Sequence, residues 1–178
     1  MATDEQQATA LPAGILESLE GEVGAVLCGD GGGSGVRAGL ACARFNGSIT
    51  WRLLEGALAG LDERGVARSD VKVAWAPGAF ELPMVARGFA THGAVDVVVC
   101  LGAVIRGETG HYDVVAGECA AGIQRVQLDT GVPVAFGVLT TDTVEQALAR
   151  SEPGPANKGR EAAHVAVEMY RLLRSVMI

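Results

Sequence analysis

The stretch of chain from residue 95 to residue 113 constrains the fold more than any other part of the sequence. Its first half, which includes Val97, Val98 and Val99, is apolar and β-branched, as is typical of a strand buried on both faces of a sheet. Its second half is polar and rich in glycine, and it leads into a helical pattern that begins near His111. A parallel strand followed by a glycine-rich loop and a helix is a common place for ligands in α/β proteins.

The residues of this loop favour an anionic ligand. The free N–H groups at the start of a helix, with the positive end of its dipole, attract an anion. Gly107 and Gly110 let the backbone approach a phosphate closely, while Thr109 adds a hydroxyl, Arg106 a charge and His111 a proton carrier. The alternative is a loop that only turns the chain, but a plain turn does not need histidine, arginine and threonine.

From residue 36 onwards, short apolar segments alternate with amphipathic ones. We predict strands over 36–44, 71–76, 95–101 and 133–139, and helices over 49–64, 81–91, 111–130, 143–150 and 158–177. Ser48 is expected to cap the first of these helices, and Thr141 or Asp142 the fourth. Strict alternation with short connections predicts an α/β fold, a three-layer sandwich with a four-stranded parallel flavodoxin-like sheet between helices.

The first 35 residues differ from the rest of the chain. They show weak periodicity and end in the run Gly-Asp-Gly-Gly-Gly-Ser-Gly at 29–35. A phosphate-binding loop should follow a strand and open a helix, whereas this run precedes a strand. We therefore predict a flexible N-terminal arm over 1–35, with a short strand within 23–28 as an option, and one folded domain over 36–178.

The composition excludes several classes of protein. Hydrophobic residues make up 49% of the 178 residues, and a net charge of −7 argues against a nucleic acid or an anionic membrane as the main partner. The N-terminus lacks the pattern of a signal peptide and no apolar run is as long as a membrane span, so we expect a cytoplasmic location. The four cysteines show neither Cys-x-x-Cys pairs nor zinc-ligand spacing, so we expect buried, reduced thiols and no metal.

Unusual residues collect at the ends of the predicted strands. Phe45 follows the first strand, Phe80 and Glu81 follow the second, and His111 closes the loop after the third. Because the carboxyl ends of parallel strands lie at one edge of a sheet, these loops should meet there. A phenylalanine in a polar loop suits stacking on a planar heterocycle; the alternative is that each ring folds back onto the core.

Six short motifs follow one another over residues 36–177. They are Ala43-Arg-Phe-Asn, Pro77-Gly-Ala-Phe-Glu-Leu-Pro, Leu101-Gly-Ala-Val-Ile-Arg-Gly-Glu-Thr-Gly-His, Gly137-Val-Leu-Thr-Thr, Glu145-Gln-Ala and Asn157-Lys-Gly. In this order and spacing the chain resembles the 6,7-dimethyl-8-ribityllumazine synthase family. Each motif alone is modest, but six in register are specific. The arm before residue 36 lies outside the resemblance.

The resemblance implies a transferase of riboflavin biosynthesis. It would condense 5-amino-6-(D-ribitylamino)uracil with 3,4-dihydroxy-2-butanone 4-phosphate, with loss of phosphate and water, and without a metal or a cofactor. His111 would transfer protons, Phe45 would stack on the uracil, and Glu108 and Thr109 would form the phosphate cradle. By the same resemblance two further segments bind substrate, the first holding the ribityl chain and the ring and the second the pyrimidine edge: Ala79, Phe80 and Glu81; Ala103, Val104 and Ile105.

Three more positions match residues that reach into the site of a neighbouring subunit in this family: Phe136, Arg150 and Lys158. Arg150 would pair with the phosphate, and Lys158 would support phosphate or ribityl binding. The resemblance therefore implies a homo-oligomer, at least a homopentamer, with shared active sites, and it suggests riboflavin synthase as a further partner. On the resemblance and on interface closure, we expect an icosahedral shell. Separate pentamers are the alternative, because Pro153 and Pro155 fix their φ angles and stiffen the connector between the last two helices.

A second class of function also fits part of the sequence. A non-catalytic flavin- or nucleotide-binding module of flavodoxin-like fold would keep Phe45 and the phosphate loop. It would not need His111, Arg150 and Lys158 together. Their joint presence favours the enzyme.

Overall fold

The computed structural model describes residues 14–20, 22–29 and 31–177, and its middle layer is a four-stranded sheet. The strands are β1 (Ala38–Ala43), β2 (Val71–Ala76), β3 (Val97–Ile105) and β4 (Val134–Thr141). They lie in the order β2-β1-β3-β4, and every pairing is parallel. The parallel sheet that the alternating pattern predicted is therefore confirmed.

Helices cover both faces of the sheet. They are α1 (Ile15–Leu19), α2 (Gly47–Glu63), α3 (Leu82–Thr91), α4 (His111–Thr130), α5 (Val144–Ser151) and α6 (Lys158–Val176), with short 3₁₀ turns at Arg68–Asp70 and Ala79–Glu81. Helices α2, α5 and α6 pack on one face, and α3 and α4 pack on the other. The three-layer sandwich is thus confirmed. Within the described ranges, no helix is long and apolar enough to span a bilayer.

Two buried clusters, one on each face of the sheet, hold the layers together. In the first, Leu40 and Leu101 of the sheet pack with Leu53 of α2. In the second, Cys100 packs with Ile123 of α4. Strand β3 contributes to both clusters because successive side chains of a strand point to opposite faces. Each leucine buried in this way contributes about 1.5–3 kcal/mol relative to an exposed one.

Strand β3 is longer than its sequence pattern predicted. The prediction ended at residue 101, but the pairing with β4 continues, with Val104 opposite Thr140 and Ile105 opposite Thr141. Strand β1 is shorter than predicted at both ends. As a result, the polar loop that leads to His111 begins at Arg106, and β3 projects beyond β1 at the carboxyl edge of the sheet.

The structure places both predicted helix caps differently. Helix α2 has Asn46 as its N-cap instead of Ser48, because the left-handed backbone of Asn46 (φ 57°) lets the helix begin at Gly47. Helix α5 is capped by Thr143, whose hydroxyl accepts a hydrogen bond from the N–H of Gln146 at 3.2 Å. Thr141 cannot cap α5, because it still belongs to β4.

The glycine run before β1 contacts the core. The N–H of Gly33 donates to the carbonyl of Arg64 at the end of α2. Arg171 of α6 donates to the carbonyls of Gly32 at 2.7 Å and Ser34 at 3.2 Å. This part of the run therefore lies against α2 and α6.

Residues 23–28 form no strand in the part of the chain that the structure describes. Val23 makes one isolated bridge with Glu20, and the segment after it is largely exposed. Residues 1–13 lie outside the described residues. The flexible arm over 1–35 and the domain over 36–178 stay predictions.

Candidate active site

The loop after β1 is tied to the end of β3 by a side chain. Asn46 Nδ2 donates to the carbonyl of Ala103 at 2.8 Å, and the backbone N–H of Phe45 donates to the carbonyl of Pro77 at 3.1 Å. The Phe45 side chain is 72% exposed, so its ring does not fold back onto the core. The loop thus presents a flat apolar ring at the carboxyl edge of the sheet, where it can stack on a planar ligand.

The last residues of β3 have a neighbouring strand on one side only. Pairing with β1 ends at Leu101, whereas pairing with β4 continues to Ile105. Ala103 and Val104 have buried side chains. Any contact that this segment makes with a ligand beside Phe45 would therefore run mainly through backbone groups, which are obligatory hydrogen-bonding groups.

The turn between β2 and α3 carries three of the candidate residues. Ala79 is buried, while Phe80 and Glu81 are exposed. Phe80 lines a groove of about 670 Å³ between α3 and α4, which also contains Met84 and Arg87. The turn places the Glu81 carboxylate at the same sheet edge as Phe45, because it directly follows the parallel strand β2.

The loop between β3 and α4 holds the remaining candidates of this edge. Glu108, Thr109 and His111 are exposed, and the N–H of His111 donates weakly to Thr109 Oγ1 at 3.4 Å. His111 is the first residue of α4, so the free N–H groups of the helix start lie beside its ring. An anion at this helix start would meet the positive end of the helix dipole.

Arg106, at the base of this loop, is not free to bind an anion in the way its charge suggested. Its guanidinium pairs with Asp142 at 3.0 Å and with Asp113 at 3.2 Å. It also lies over the ring of Tyr112, with 4.0 Å from Cζ to the ring centroid. Two carboxylates thus surround one positive charge.

Three candidates lie together elsewhere, in a groove between the outer edge of β4 and helix α6. Phe136, Arg150 and Lys158 line this groove, whose volume is about 330 Å³. Lys158 Nζ lies 2.6 Å from Glu161 Oε2, and Arg150 Nη1 donates to the carbonyl of Gln146 at 3.1 Å. The groove offers two cations and an exposed aromatic ring to a ligand.

The candidate residues therefore form two groups within one chain. The first comprises the loops after β1, β2 and β3, with Phe45, Glu81 and His111. The second is the groove beside β4, and among the described residues none of the first group lines it. The structure of a single chain brings together the members of each group but does not join the two groups.

Two asparagines that shape these groups were not among the site residues predicted from the sequence. Asn46 joins the loop after β1 to β3, and Asn157 holds the break between α5 and α6. Asn157 is buried; its amide donates to the carbonyls of Ser151 and Arg52, and its Oδ1 accepts from the N–H of Gly159. The available signals were that asparagine is the usual non-glycine residue in left-handed backbone and a preferred N-cap.

The three buried cysteines are unsuited to nucleophilic chemistry. Burial raises the pKa of Cys42 to about 12 and that of Cys119 to about 11, and it raises the pKa of Cys100 further still. These thiols stay protonated near neutral pH. Cys28 is exposed, contrary to the prediction of buried cysteines. In the described ranges, no group of three or more histidine, cysteine, aspartate or glutamate side chains is placed to hold a metal ion.

Comparison with known proteins identifies a family and a similar curated relative. The model of a family described as 6,7-dimethyl-8-ribityllumazine synthase matches residues 35–174. A curated 6,7-dimethyl-8-ribityllumazine synthase from Protochlamydia amoebophila (strain UWE25) is 51% identical over 139 residues, which cover 78% of this chain and 81% of that protein. The family match includes the elements from β1 to α5 and most of α6.

Proposed function

The chain belongs to the 6,7-dimethyl-8-ribityllumazine synthase family, and we propose that its two groups of candidate residues form active sites between neighbouring copies of the chain. The protein is a transferase of riboflavin biosynthesis. It condenses 5-amino-6-(D-ribitylamino)uracil with 3,4-dihydroxy-2-butanone 4-phosphate to give the lumazine. The observation that carries the shared site is the separation of Arg150 and Lys158 from His111 within one chain.

The reaction sets the tasks for which residues are needed. The primary amine adds to the ketone and water leaves, which gives an imine. Loss of a proton next to the imine then expels phosphate, and the resulting enol tautomerises to a ketone. The second amine attacks this ketone, and loss of a second water closes the ring. Each step moves a proton, so a group that titrates near neutrality is useful.

The loops after β1, β2 and β3 suit the uracil. Its flat ring can stack on the exposed ring of Phe45, and its polar edge can bond to those backbone groups of Ala103, Val104 and Ile105 that Asn46 and β4 leave free. Ala79, Phe80 and the carboxylate of Glu81 lie beside them and suit the hydroxyl-rich ribityl chain, with Ala79 acting through its backbone.

The loop between β3 and α4 suits the phosphate. Glu108 and Thr109 lie in the loop, Gly107 and Gly110 leave open space beside the backbone, and the start of α4 supplies free N–H groups. His111 would transfer protons, because it stands directly next to this loop. A phosphate there needs a cation as well, and Arg106 is already paired with two aspartates.

The groove beside β4 contains cations that can supply the positive charge that the phosphate needs. Within the described part of the chain, Arg150 makes no pair with a carboxylate, and its guanidinium can take a phosphate in two hydrogen bonds. Lys158 is held by Glu161, and Phe136 adds an exposed ring. A neighbouring copy whose groove covers the loops of the first would bring these residues to the phosphate, which is a heterologous contact that closes into a ring.

Exposed apolar surface supports a homo-oligomer. On the edge strand β2, Val73 is 43% exposed and Trp75 is 41% exposed. Met84 on α3 is 75% exposed. Surfaces of this kind mark protein contacts. We propose at least a pentamer in the cytoplasm, with an icosahedral shell preferred over separate pentamers, and riboflavin synthase as a further partner.

Activity is tested by mixing the protein with both substrates. We expect growth of lumazine absorbance and fluorescence together with release of phosphate. Phosphate release no faster than in a protein-free control would contradict the function. The non-catalytic flavin- or nucleotide-binding module is not favoured, because the family to which the chain belongs is catalytic.

The shared site has its own test. The variants His111→Ala and Arg150→Ala are unfolded and refolded as an equal mixture. If sites form between copies, roughly a quarter of them in a random mixture regain both native residues. The mixture should then turn over faster than the average of the two separate variants. Activity equal to that average would show that each chain supplies both residues to its own site.

A further inference from the structure

Arg106 is fixed to a rigid part of the fold at its backbone. Its N–H donates to the carbonyl of Thr141 at 2.9 Å, which extends the pairing of β3 with β4 by one residue. The side chain therefore starts from a defined position at the carboxyl edge of the sheet. The loop to α4 leaves from the next residue, Gly107.

The guanidinium of Arg106 is paired with two carboxylates of the same chain. Nε lies 3.0 Å from Asp142 Oδ1, and Nη2 and Nη1 lie 3.2 Å and 3.4 Å from the two oxygens of Asp113. One face of the guanidinium covers Tyr112. A substrate phosphate that bound Arg106 directly would have to displace at least one carboxylate and would meet the other at close range, where like charges repel.

These contacts join the two ends of the loop between β3 and α4. Arg106 precedes the loop, and Asp113 lies in the first turn of α4 just after His111. The loop has few contacts of its own, because Glu108 and Thr109 are exposed and nothing lies within 4 Å of a side chain placed at Gly107 or Gly110. Its position relative to the sheet is therefore set mainly by how β3 is joined to α4.

The second carboxylate extends the connection to another helix. Asp142 follows β4 directly and precedes Thr143, the N-cap of α5. Its N–H donates to Gln146 Oε1 at 3.0 Å. Arg106 thus joins three elements at one point: the end of β3, the first turn of α4 and the start of the helix that carries Arg150 in its last turn.

We propose that Arg106 is a positioning residue of the active site, whose paired guanidinium fixes the loop with Glu108 and Thr109 and the His111 ring without touching the substrate. This proposal rests on the proposed function, because the loop that Arg106 fixes serves that reaction. Its neighbours Asp113 and Asp142 raise the pKa of Arg106, so the guanidinium stays charged throughout the range in which enzymes work. Arg106 therefore keeps the positive charge on which the connection depends.

The central comparison uses Arg106→Gln and Asp113→Asn, with Arg68→Gln as matched control. Arg68 pairs with both oxygens of Asp62 but lies at the start of β2, at the opposite edge of the sheet. For Arg106→Gln we expect roughly a tenfold rise in KM for the butanone phosphate and less than a twofold change for the uracil, because small misplacements of a binding group are costly. Arg106→Lys should recover part of the loss. The control should match the wild type.

Asp113→Asn separates positioning from direct binding. If Arg106 bound the phosphate itself, removal of the competing carboxylate would lower KM for the butanone phosphate. If the contact with Asp113 only positions the loop, its loss should raise the KM for the butanone phosphate as Arg106→Gln does. The double variant should then have a KM no higher than that of either single variant. A lower KM in Asp113→Asn would overturn the proposal.

Hydrogen exchange of residues 107–113 gives a readout that does not depend on turnover. We expect faster amide exchange there in Arg106→Gln and in Asp113→Asn, together with roughly tenfold weaker binding of inorganic phosphate, and wild-type exchange in Arg68→Gln. Unchanged exchange in the first two variants would overturn the proposal even if KM rises. If the wild-type protein forms no lumazine, the proposed function fails, while exchange and phosphate binding still decide the role of Arg106.

Discussion

At the scale of single residues, we expect Arg150 to take up the substrate phosphate. It lies exposed in the groove beside β4, with its Nη1 bonded only to a backbone carbonyl of its own helix among the described residues. Arg150→Ala should weaken use of the butanone phosphate by about 1.5–3 kcal/mol, because a charge-assisted contact is lost, and should leave binding of the uracil nearly unchanged. The measurement is KM for each substrate. Equal losses for both would indicate a folding or assembly defect instead.

His111 belongs to the same scale and carries the second prediction. His111→Ala should slow turnover without abolishing it, since a positioned acid–base group contributes roughly 10²–10⁴-fold while proximity and water still support the reaction. The control is His92→Ala, because the His92 ring contacts the carbonyl of Gly88 at 2.9 Å at the far end of α3. Steady-state turnover is compared for both variants. A His111→Ala protein with wild-type kinetics would remove this residue from the mechanism.

At the scale of elements, Asn157 decides how α5 and α6 are joined. Its amide donates to the carbonyls of Ser151 and Glu152 at 2.8 Å and 3.2 Å, and its Oδ1 accepts two N–H groups from the first turn of α6. Asn157→Ala should destabilise the protein by about 2–4 kcal/mol, because a helix cap is lost and buried carbonyls lose their donor. Thr143→Ala removes only an exposed cap and should cost about 1 kcal/mol. Denaturant unfolding at fixed protein concentration measures both, and equal costs would contradict the role of the buried amide.

The strands β1 and β3 are joined at their amino ends by Arg37 and Asp96. The hydrogen bond and charge of Arg37, at 2.8 Å from Asp96 Oδ1, lower the pKa of Asp96 below its ordinary value, against the opposing effect of burial. A carboxyl whose pKa is lowered on folding stabilises the protein above its unfolded pKa of about 3.9 and loses that contribution as the pH falls further.

Asp96→Asn should therefore reduce the free energy of unfolding by about 1 kcal/mol at neutral pH, since the Arg37 side chain is half exposed. The difference from wild type should stay constant between about pH 5 and pH 8, and it should shrink between about pH 4 and pH 2. Denaturant unfolding of both proteins across this range is the measurement. A difference that is independent of pH would assign the effect to packing instead of charge.

At the scale of the whole molecule, the proposed shared site predicts that only an assembly of several chains is active. Light scattering at neutral pH should give the mass of five chains or more, because the proposed active site needs the loops of one copy and the groove beside β4 of another. The connector that bears on a shell is held in place by the ion pair of Arg52 with Glu152, at 3.0 Å, and by Asn157. A fully active monomer would contradict the shared site, whereas an active pentamer would contradict only the shell.

The sequence by itself determined the order and type of the main elements, because apolar periodicity is a local property of neighbouring residues. It predicted four parallel strands and the start of α4 at His111, and it placed candidate residues in loops that the structure collects at one edge. Only the tertiary structure decided which side chains meet across long separations: Asn46 with the end of β3, Arg106 with Asp142, and Asn157 with the carbonyl of Arg52. Such contacts depend on the order of strands in the sheet and on the crossing of helices. The local sequence pattern contains neither the strand order nor the helix crossings. For this reason the sequence suggested that Arg106 binds an anion, whereas in the fold Arg106 pairs with two aspartates.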